Sequence, residues 1–218
     1  MKRQHSNSNA IQLDLFARFE TGIKAAERLE MPDAEVTLYH DFFDRNESRE
    51  IFTTLPNEIK WRQDKMKFYG KEVDLPRKTA WYGDSDKSYT FSGISFNPEP
   101  WTATLLDLKV RIEDVAKVNF NSVLLNLYRD GNDGISWHTD AEPELGKNPV
   151  IGSVSFGETR IFMFRRIDNK DLKTELELRD GSFLLMAGAT QHYWQHQIPK
   201  TSKKVEPRIN LTFRVIIK

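Results

Sequence analysis

Residues 208–218 read RINLTFRVIIK. Successive side chains of a strand point to opposite faces. Ile209, Leu211, Phe213, Val215 and Ile217 therefore take one face, and Arg208, Asn210, Thr212 and Arg214 the other. The apolar row asks for a packed layer against it. The polar row fits either a solvated outer face or a buried anion pocket. Residues 122–128, SVLLNLY, repeat the division, with Asn126 and Tyr128 on one face and Leu125 and Leu127 on the other. A solvated face seldom needs Asn and Tyr at spacing two together with Arg at spacing six, and this favours the pocket.

The neighbouring segments set these two strands in a mostly β domain. VTLYHDFF (36–43), PVIGSVSF (149–156), TRIFMFRR (159–166), TELELRDG (174–181) and SFLLMAG (182–188) are short strand-like runs separated by turn residues. Residues 61–96 read as hairpins, with YGK and YGDSDK as the turns. That region is locally basic through Lys60, Arg62, Lys65, Lys67, Lys71, Arg77 and Lys78. NESREIFTTL (46–55) reads as a helix capped by Asn46 or Ser48, and Leu105, Leu108, Ile112 and Val115 mark one face of a helix over 101–117. Phe19, Ile23, Ala26 and Leu29 also fall at near-helical spacing, ahead of a junction at MPDAEV (31–36). The expected class is α+β, mostly β: a sandwich or jelly roll flanked by helices.

Composition narrows the chemistry. The chain has 218 residues, 39% of them apolar, enough for one sizeable domain. With no cysteine there can be no disulfide, thiol nucleophile, iron–sulfur cluster or cysteine zinc site, so a metal must use His and carboxylate. No apolar run approaches the roughly 20 residues of a membrane-spanning helix, and no signal-peptide core follows the first charges. These features fit a cytoplasmic protein. Thirty-two basic residues balance 32 acidic ones, so contact with nucleic acid must come from local patches.

DGNDGISWHTDAEPELG (130–146) contains His138-Thr-Asp140, an H-x-D triplet. At a strand edge both side chains can reach one ion. With a second, distant His they make two histidines and one carboxylate on one face of an octahedron, the arrangement of non-haem Fe(II) oxygenases. The open positions then take a 2-oxo acid and O2, and a cation must meet the far carboxylate. QHYWQHQIP (191–199) offers His192 and His196 as the second histidine. Spacing alone does not choose between them.

In order, FYGK, PRKTAWYGD, YTFSG, NLYRDGNDGISWHTDAEPELG, SVSFGETRIFMFR, WQHQIP and PRINLTFR resemble the AlkB-type Fe(II)/2-oxoglutarate dioxygenases, which reverse base alkylation. The likeness runs over roughly 36–218 and is greatest to the members acting on double-stranded DNA. It implies a double-stranded β-helix core over 34–218, with 61–96 as nucleotide-recognition hairpins. The family's distal histidine sits in W-x-H-x-x-P, twelve residues before the first Arg of R-x-N-x-T-x-R, which here selects His196. His192 is then a structural or supporting histidine, and His5 and His40 are ordinary.

By the same resemblance, His138, Asp140 and His196 hold Fe(II). Arg208 and Arg214 pair with the carboxylates of 2-oxoglutarate, and Asn126, Tyr128, Asn210 and Thr212 complete its pocket. Decarboxylation to succinate and CO2 is coupled to hydroxylation of an N-alkyl group, as on 1-methyladenine or 3-methylcytosine, and the hemiaminal loses formaldehyde. Phe91 stacks on the flipped base opposite His138, and Tyr69 wedges into the vacated stack. Tyr89, Trp137 and Arg77 also face the substrate, and KTSKK (200–204) meets the backbone. Ala141 directly after H-x-D departs from relatives that carry an acid there, which leaves Glu142 as the lesion-pocket candidate.

Residues 1–33 read as a flexible tail. Within it QLDLF (12–16) resembles the bacterial sliding-clamp peptide: Leu15 and Phe16 would fill an apolar pocket, Leu13 would lie between them and Gln12, and Gln12 would hydrogen-bond beside it. That implies a bacterial cytoplasm and a monomeric enzyme brought to replicating DNA. Two other readings stand beside this one: a dioxygenase acting on RNA or another substrate, and a non-catalytic nucleic-acid or clamp adaptor on the same fold.

Overall fold

The computed structural model describes residues 26–68, 70–86, 89–91 and 94–217. Its strands are β1 (Ala26–Arg28), β2 (Glu35–Tyr39), β3 (Lys65–Phe68), β4 (Lys71–Asp74), β5 (Lys78–Gly83), β6 (Tyr89–Phe91), β7 (Ile94–Phe96) and β8 (Ser122–Tyr128). They continue with β9 (Ile135–His138), β10 (Ile151–Gly157), β11 (Arg160–Arg166), β12 (Lys173–Leu178), β13 (Ser182–Ala187), β14 (Trp194–Ile198) and β15 (Arg208–Arg214). The helices are α1 (Arg45–Glu58), α2 (Ala103–Ala116) and a single turn, α3 (Thr190–Tyr193). None of the described helices is long and apolar enough to cross a membrane.

Two antiparallel sheets face each other. The larger has the order β1-β2-β13-β10-β15-β8-β5 and the smaller β12-β11-β14-β9. The hairpins β3-β4 and β6-β7 stand apart from both. This is the expected jelly-roll core with helices on its flank.

The alternation in RINLTFR decides which layer lies where. Ile209, Leu211 and Phe213 are fully buried and pack with Leu105, Leu108 and Ile112 of α2. Each such side chain contributes about 1.5–3 kcal/mol on leaving water. Val36, Leu38, Leu184 and Met186 of the larger sheet instead meet Phe162, Phe164 and Trp194 of the smaller. The polar face of β15 therefore looks into the space between the sheets, not into solvent.

The pattern does not run through to residue 217. β15 stops at Arg214, after which the Ile216 amide donates to Asn121 Oδ1 (2.8 Å) and the Ile217 amide to Glu144 O (2.9 Å). Ile216 turns into the core and Ile217 is exposed, the reverse of the strand expectation.

Two expectations at the N-terminal side are also corrected. The cap of α1 is Asp44, not Asn46 or Ser48. Its Oδ1 accepts from the Asn46 and Glu47 amides (2.7 and 3.0 Å), and Glu47 Oε2 accepts from the Asp44 amide (3.0 Å), a reciprocal capping box. Ala26 and Leu29 are not on a helical face: Ala26 pairs with Tyr39 in the edge strand β1, and Leu29 is buried in the inter-sheet core. Phe19 and Ile23 lie outside the described residues.

Candidate active site

His138 ends β9 and His196 lies in β14, directly opposite it in the ladder. The register then shifts, so Ile198 faces Ile135 and the two residues Ser136 and Trp137 stand against Gln197 alone. This bulge brings Ile135 and His138 to the same inner cavity. Asp140 follows just beyond the strand. One donor atom from each of His138, Asp140 and His196 lies within 4.8 Å of the other two.

Each donor is oriented. His138 Nδ1 donates to Ser136 O (2.8 Å), which leaves the Nε2 lone pair free. His196 Nε2 is 3.9 Å from Asp140 Oδ2. Its ring stacks on Phe162, with centroids 5.3 Å apart, and meets Phe164 edge-on. Burial, reinforced by His138 and partly offset by Asp140, pushes the His196 pKa down to about 3. Near neutrality the imidazole is thus an uncharged ligand. Burial pushes the Asp140 carboxyl up, but Arg214 and the two histidines outweigh it and hold the group below the usual carboxylate range. Arg214 Nη2 donates to Asp140 Oδ1 at 2.6 Å.

The rest of the cavity comes from the larger sheet. Asn126 and Tyr128 of β8, Ser153 of β10, and Arg208, Asn210, Thr212 and Arg214 of β15 line it. Arg208 is 1% exposed, donates to Ser155 Oγ (2.8 Å) and lies 5.3 Å over the Tyr128 ring. Its Nε and Nη1 have no protein partner, nor does Arg214 Nε. Burial pushes the Arg208 pKa down to about 10, so the cation persists at neutral pH. A buried cation with two free donors is costly unless an anion meets it. Beside three metal-ligand atoms, such a pocket suits a small molecule with carboxylates.

A model of the 2OG-Fe(II) oxygenase superfamily matches residues 35–214. The chain belongs to this superfamily, as an AlkB-type dioxygenase. It is 42% identical over 192 residues to alpha-ketoglutarate-dependent dioxygenase alkB homolog 3 of Bos taurus, covering 84% of this chain and 66% of that protein. It is 39% identical over 189 residues to DNA oxidative demethylase ALKBH2 of Bos taurus, covering 82% and 68%. The chain thus spans about two thirds of the length of these relatives. The solved structure of OsALKBH1 superposes with a TM-score of 0.63 over 88% of this chain and all of that one, at 18% identity, a likeness of fold.

For an AlkB-type dioxygenase the cofactors are Fe(II), 2-oxoglutarate and O2, and the donor set fits them. His138, Asp140 and His196 would hold the iron, and the unpartnered donors of Arg208 and Arg214 suit the 2-oxo acid. Asn210 lines the cavity as expected, and both its Nδ2 protons are held there by Ser153 Oγ (2.8 Å) and Val154 O (2.9 Å). Its Oδ1 accepts from Thr212 (3.1 Å), so it sets the direction of that hydroxyl.

Several expected substrate residues sit elsewhere or outside view. Trp137 is on the outer side of the smaller sheet, with the Arg165 guanidinium 4.3 Å over its ring, because successive strand side chains alternate and its neighbour His138 takes the inner face. Arg77 is half-buried beside the cavity wall. Its Nε donates to Asn126 Oδ1 (2.8 Å), which turns the Asn126 amide protons the other way. Glu142, just ahead of a 3-10 turn at Pro143–Leu145, is half-buried, and its Oε2 has no protein partner. Tyr89 and Phe91 lie in the paired backbone of β6-β7, where only the backbone is described, and Tyr69, Gln12, Leu13, Leu15 and Phe16 lie outside the described residues. Three of the seven basic residues of the hairpin region have carboxylate partners: Lys60 pairs with Glu99 (2.6 Å), Arg62 with Asp64 (3.6 Å) and Lys65 with Glu72 (3.9 Å).

Sequence reasoning missed Arg160. It is buried and donates to the carbonyls of Asp130 (3.3 Å), Asp133 (3.0 Å) and Pro199 (2.7 Å). One side chain thereby ties the loop entering β9 to the residue leaving β14. Gly131 and Gly134 let these segments meet, since a Cβ on Gly134 would stand 2.6 Å from Ile198 O.

Proposed function

We propose that this chain is an oxidative dealkylase of N-alkylated nucleobases, with DNA as its substrate. The observation that carries this reading is one cavity holding both a His-Asp-His donor set and a buried, incompletely partnered arginine, in a chain about 40% identical to a protein named DNA oxidative demethylase.

Bound iron and O2 supply the oxidising power that couples loss of CO2 from 2-oxoglutarate to hydroxylation of the alkyl carbon. The chain's own groups do the rest. Arg208 takes one carboxylate of the 2-oxo acid, helped by Tyr128. Arg214 faces the other end of the pocket while steadying Asp140. Phe162, Ile135 and Ile198 give the cavity apolar walls that limit water. Glu142 Oε2, buried and unpartnered, offers an acceptor for the exocyclic amine or cationic ring of 3-methylcytosine or 1-methyladenine. Tyr69 and Phe91 are assigned the wedge and the stacking partner from their sequence setting.

The test is product mass. The full chain with Fe(II), 2-oxoglutarate and ascorbate is given DNA and RNA oligonucleotides, single- and double-stranded, each with one 3-methylcytosine or 1-methyladenine. Loss of one CH2 on DNA, absent in His196→Ala, is expected. Succinate without dealkylation of any oligonucleotide would overturn the substrate, and preference for RNA would replace DNA by RNA.

QLDLF at 12–16 supports recruitment of a monomeric enzyme to the sliding clamp in a bacterial cytoplasm. A labelled peptide of residues 8–20 should bind a bacterial clamp, and Leu15→Ala with Phe16→Ala should abolish it. Binding equal in both peptides would rule the site out.

A further inference from the structure

The turn α3 sends three consecutive side chains to three distant segments. Thr190 Oγ1 accepts from the Glu35 amide (3.0 Å) and donates to Ala187 O (2.6 Å). His192 Nε2 faces Lys147 O and Asn148 Oδ1 (2.9 Å for the latter), so that nitrogen carries the proton. Between them Gln191 is 2% exposed, and its Oε1 accepts the backbone amide of Asp140 at 2.9 Å, 51 residues away in sequence. Its Nε2 points at Met186 Sδ, 3.7 Å off, a weak acceptor. A flipped carboxamide would set NH2 against N–H, so the network fixes the oxygen on Asp140.

Asp140 lies beyond the end of β9 and has no ladder partner for this amide, yet it is buried. A buried N–H without an acceptor is rarely tolerated. Only two side-chain torsions separate that nitrogen from the carboxylate oxygens. Arg214 holds Oδ1 at the far end. With the backbone anchored by Gln191 and one oxygen anchored by Arg214, the direction of Oδ2 toward His196 is determined from both ends.

We propose that Gln191 is a positioning residue of the iron centre, acting through the backbone of Asp140. Its effect is on the geometry of a ligand rather than on core packing alone. The inference rests on the iron site and is independent of which nucleic acid is the substrate.

The experiment uses the full chain, free of 2-oxoglutarate and nucleic acid, with Mn(II) as the probe and the free-ion electron paramagnetic resonance signal as the readout. Gln191→Met keeps length and apolar volume but removes the oxygen. Gln191→Glu keeps a side-chain oxygen that accepts from the amide. Loss of a group that orients a ligand typically weakens metal binding about 10–100-fold. Gln191→Met should weaken Mn(II) binding by about 10-fold or more, with Gln191→Glu within about threefold of the parent. Mn(II) affinity within about twofold of the parent in both variants, with a lower melting temperature in Gln191→Met, would mean a packing role only and overturn the proposal. Should Gln191→Met fail to fold, hydrogen exchange at the Asp140 amide of the metal-free parent decides. Protection supports the anchor, and exchange at the rate of an exposed loop amide overturns it.

Discussion

Arg214 donates to Asp140 Oδ1 across 2.6 Å, and this leaves Oδ2 turned toward His196 Nε2. The same arginine keeps an unpartnered Nε in the cavity. One guanidinium thus offers one edge to the Asp140 carboxylate and another to the cavity, where it would meet the co-substrate. Arg214→Lys keeps the charge but loses the planar fork. Titration calorimetry should find both Mn(II) and 2-oxoglutarate bound about 10-fold more weakly or worse. A variant weakened toward only one of the two would contradict the shared role.

Arg208 leads to an expectation of opposite sign for stability and for binding. Its two unpartnered donors, each worth about 1.5–3 kcal/mol when they meet a carboxylate, imply at least about 100-fold weaker 2-oxoglutarate binding in Arg208→Met. The same change removes a buried cation that has no counter-ion in the free protein. The variant should melt at the parent's temperature or above when the co-substrate is absent, and should lose the rise that 2-oxoglutarate gives the parent. Differential scanning fluorimetry with and without the ligand reads both effects.

Gly134 sits where β9 leaves its loop and passes β14. Adding a Cβ would place it 2.6 Å from Ile198 O, a backbone atom that cannot rotate aside. Gly134→Ala should push the strand bearing His138 from the strand bearing His196. A loss of about 1–3 kcal/mol in unfolding free energy is expected, together with weaker Mn(II) binding. Urea melts and metal titration of the same sample check it, and an unchanged metal affinity would show that the bulge absorbs the shift.

Acid stability has a marker in the same loop. Burial pushes Asp133 up, but Arg129, bonded through its side chain and backbone amide at 2.7–2.9 Å, more than offsets this and holds the carboxyl low. The folded pKa lies below the unfolded value of about 3.9, so this contribution is full above the unfolded value and fades as pH falls through the folded one. Asp133→Asn removes the titration. Its unfolding free energy should be lower than the parent's at pH 6, with the gap narrowing below about pH 4. Chemical denaturation at stepped pH measures the slope.

What could be read from the sequence was whatever repeats at short range. RINLTFR and SVLLNLY announce two faces because strand side chains alternate, and those faces are the core and the cavity. The helix over Leu105, Leu108 and Ile112 follows from its period. The pattern failed where a tertiary hydrogen bond overrode it, as at Ile216, whose amide is claimed by Asn121. Trp137 was misplaced although alternation already sets it opposite His138, whereas the bulge that brings Ile135 round to the face of His138 is invisible without the partner strand. The capping box was within reach, since Asp44 precedes Glu47 by three residues, but Asn46 and Ser48 are equally good cap residues by type. Gln191 and Arg160 leave no local trace. Each acts on backbone far away in sequence, and nothing in their neighbours' pattern records which carbonyl or amide they will meet.

The incompletely partnered charge of Arg208 would tie the persistence of the folded chain to the supply of its co-substrate. A ligand that binds only the folded chain lowers the fraction that is transiently open, and proteases act on that fraction when opening is fast. With 2-oxoglutarate bound, Arg208 would meet a counter-charge and the chain would resist digestion. Without it, the same arginine would remain an uncompensated charge in the interior, and the chain would open to proteases more often. Supply of the co-substrate would then set how much enzyme survives as well as how fast it turns over.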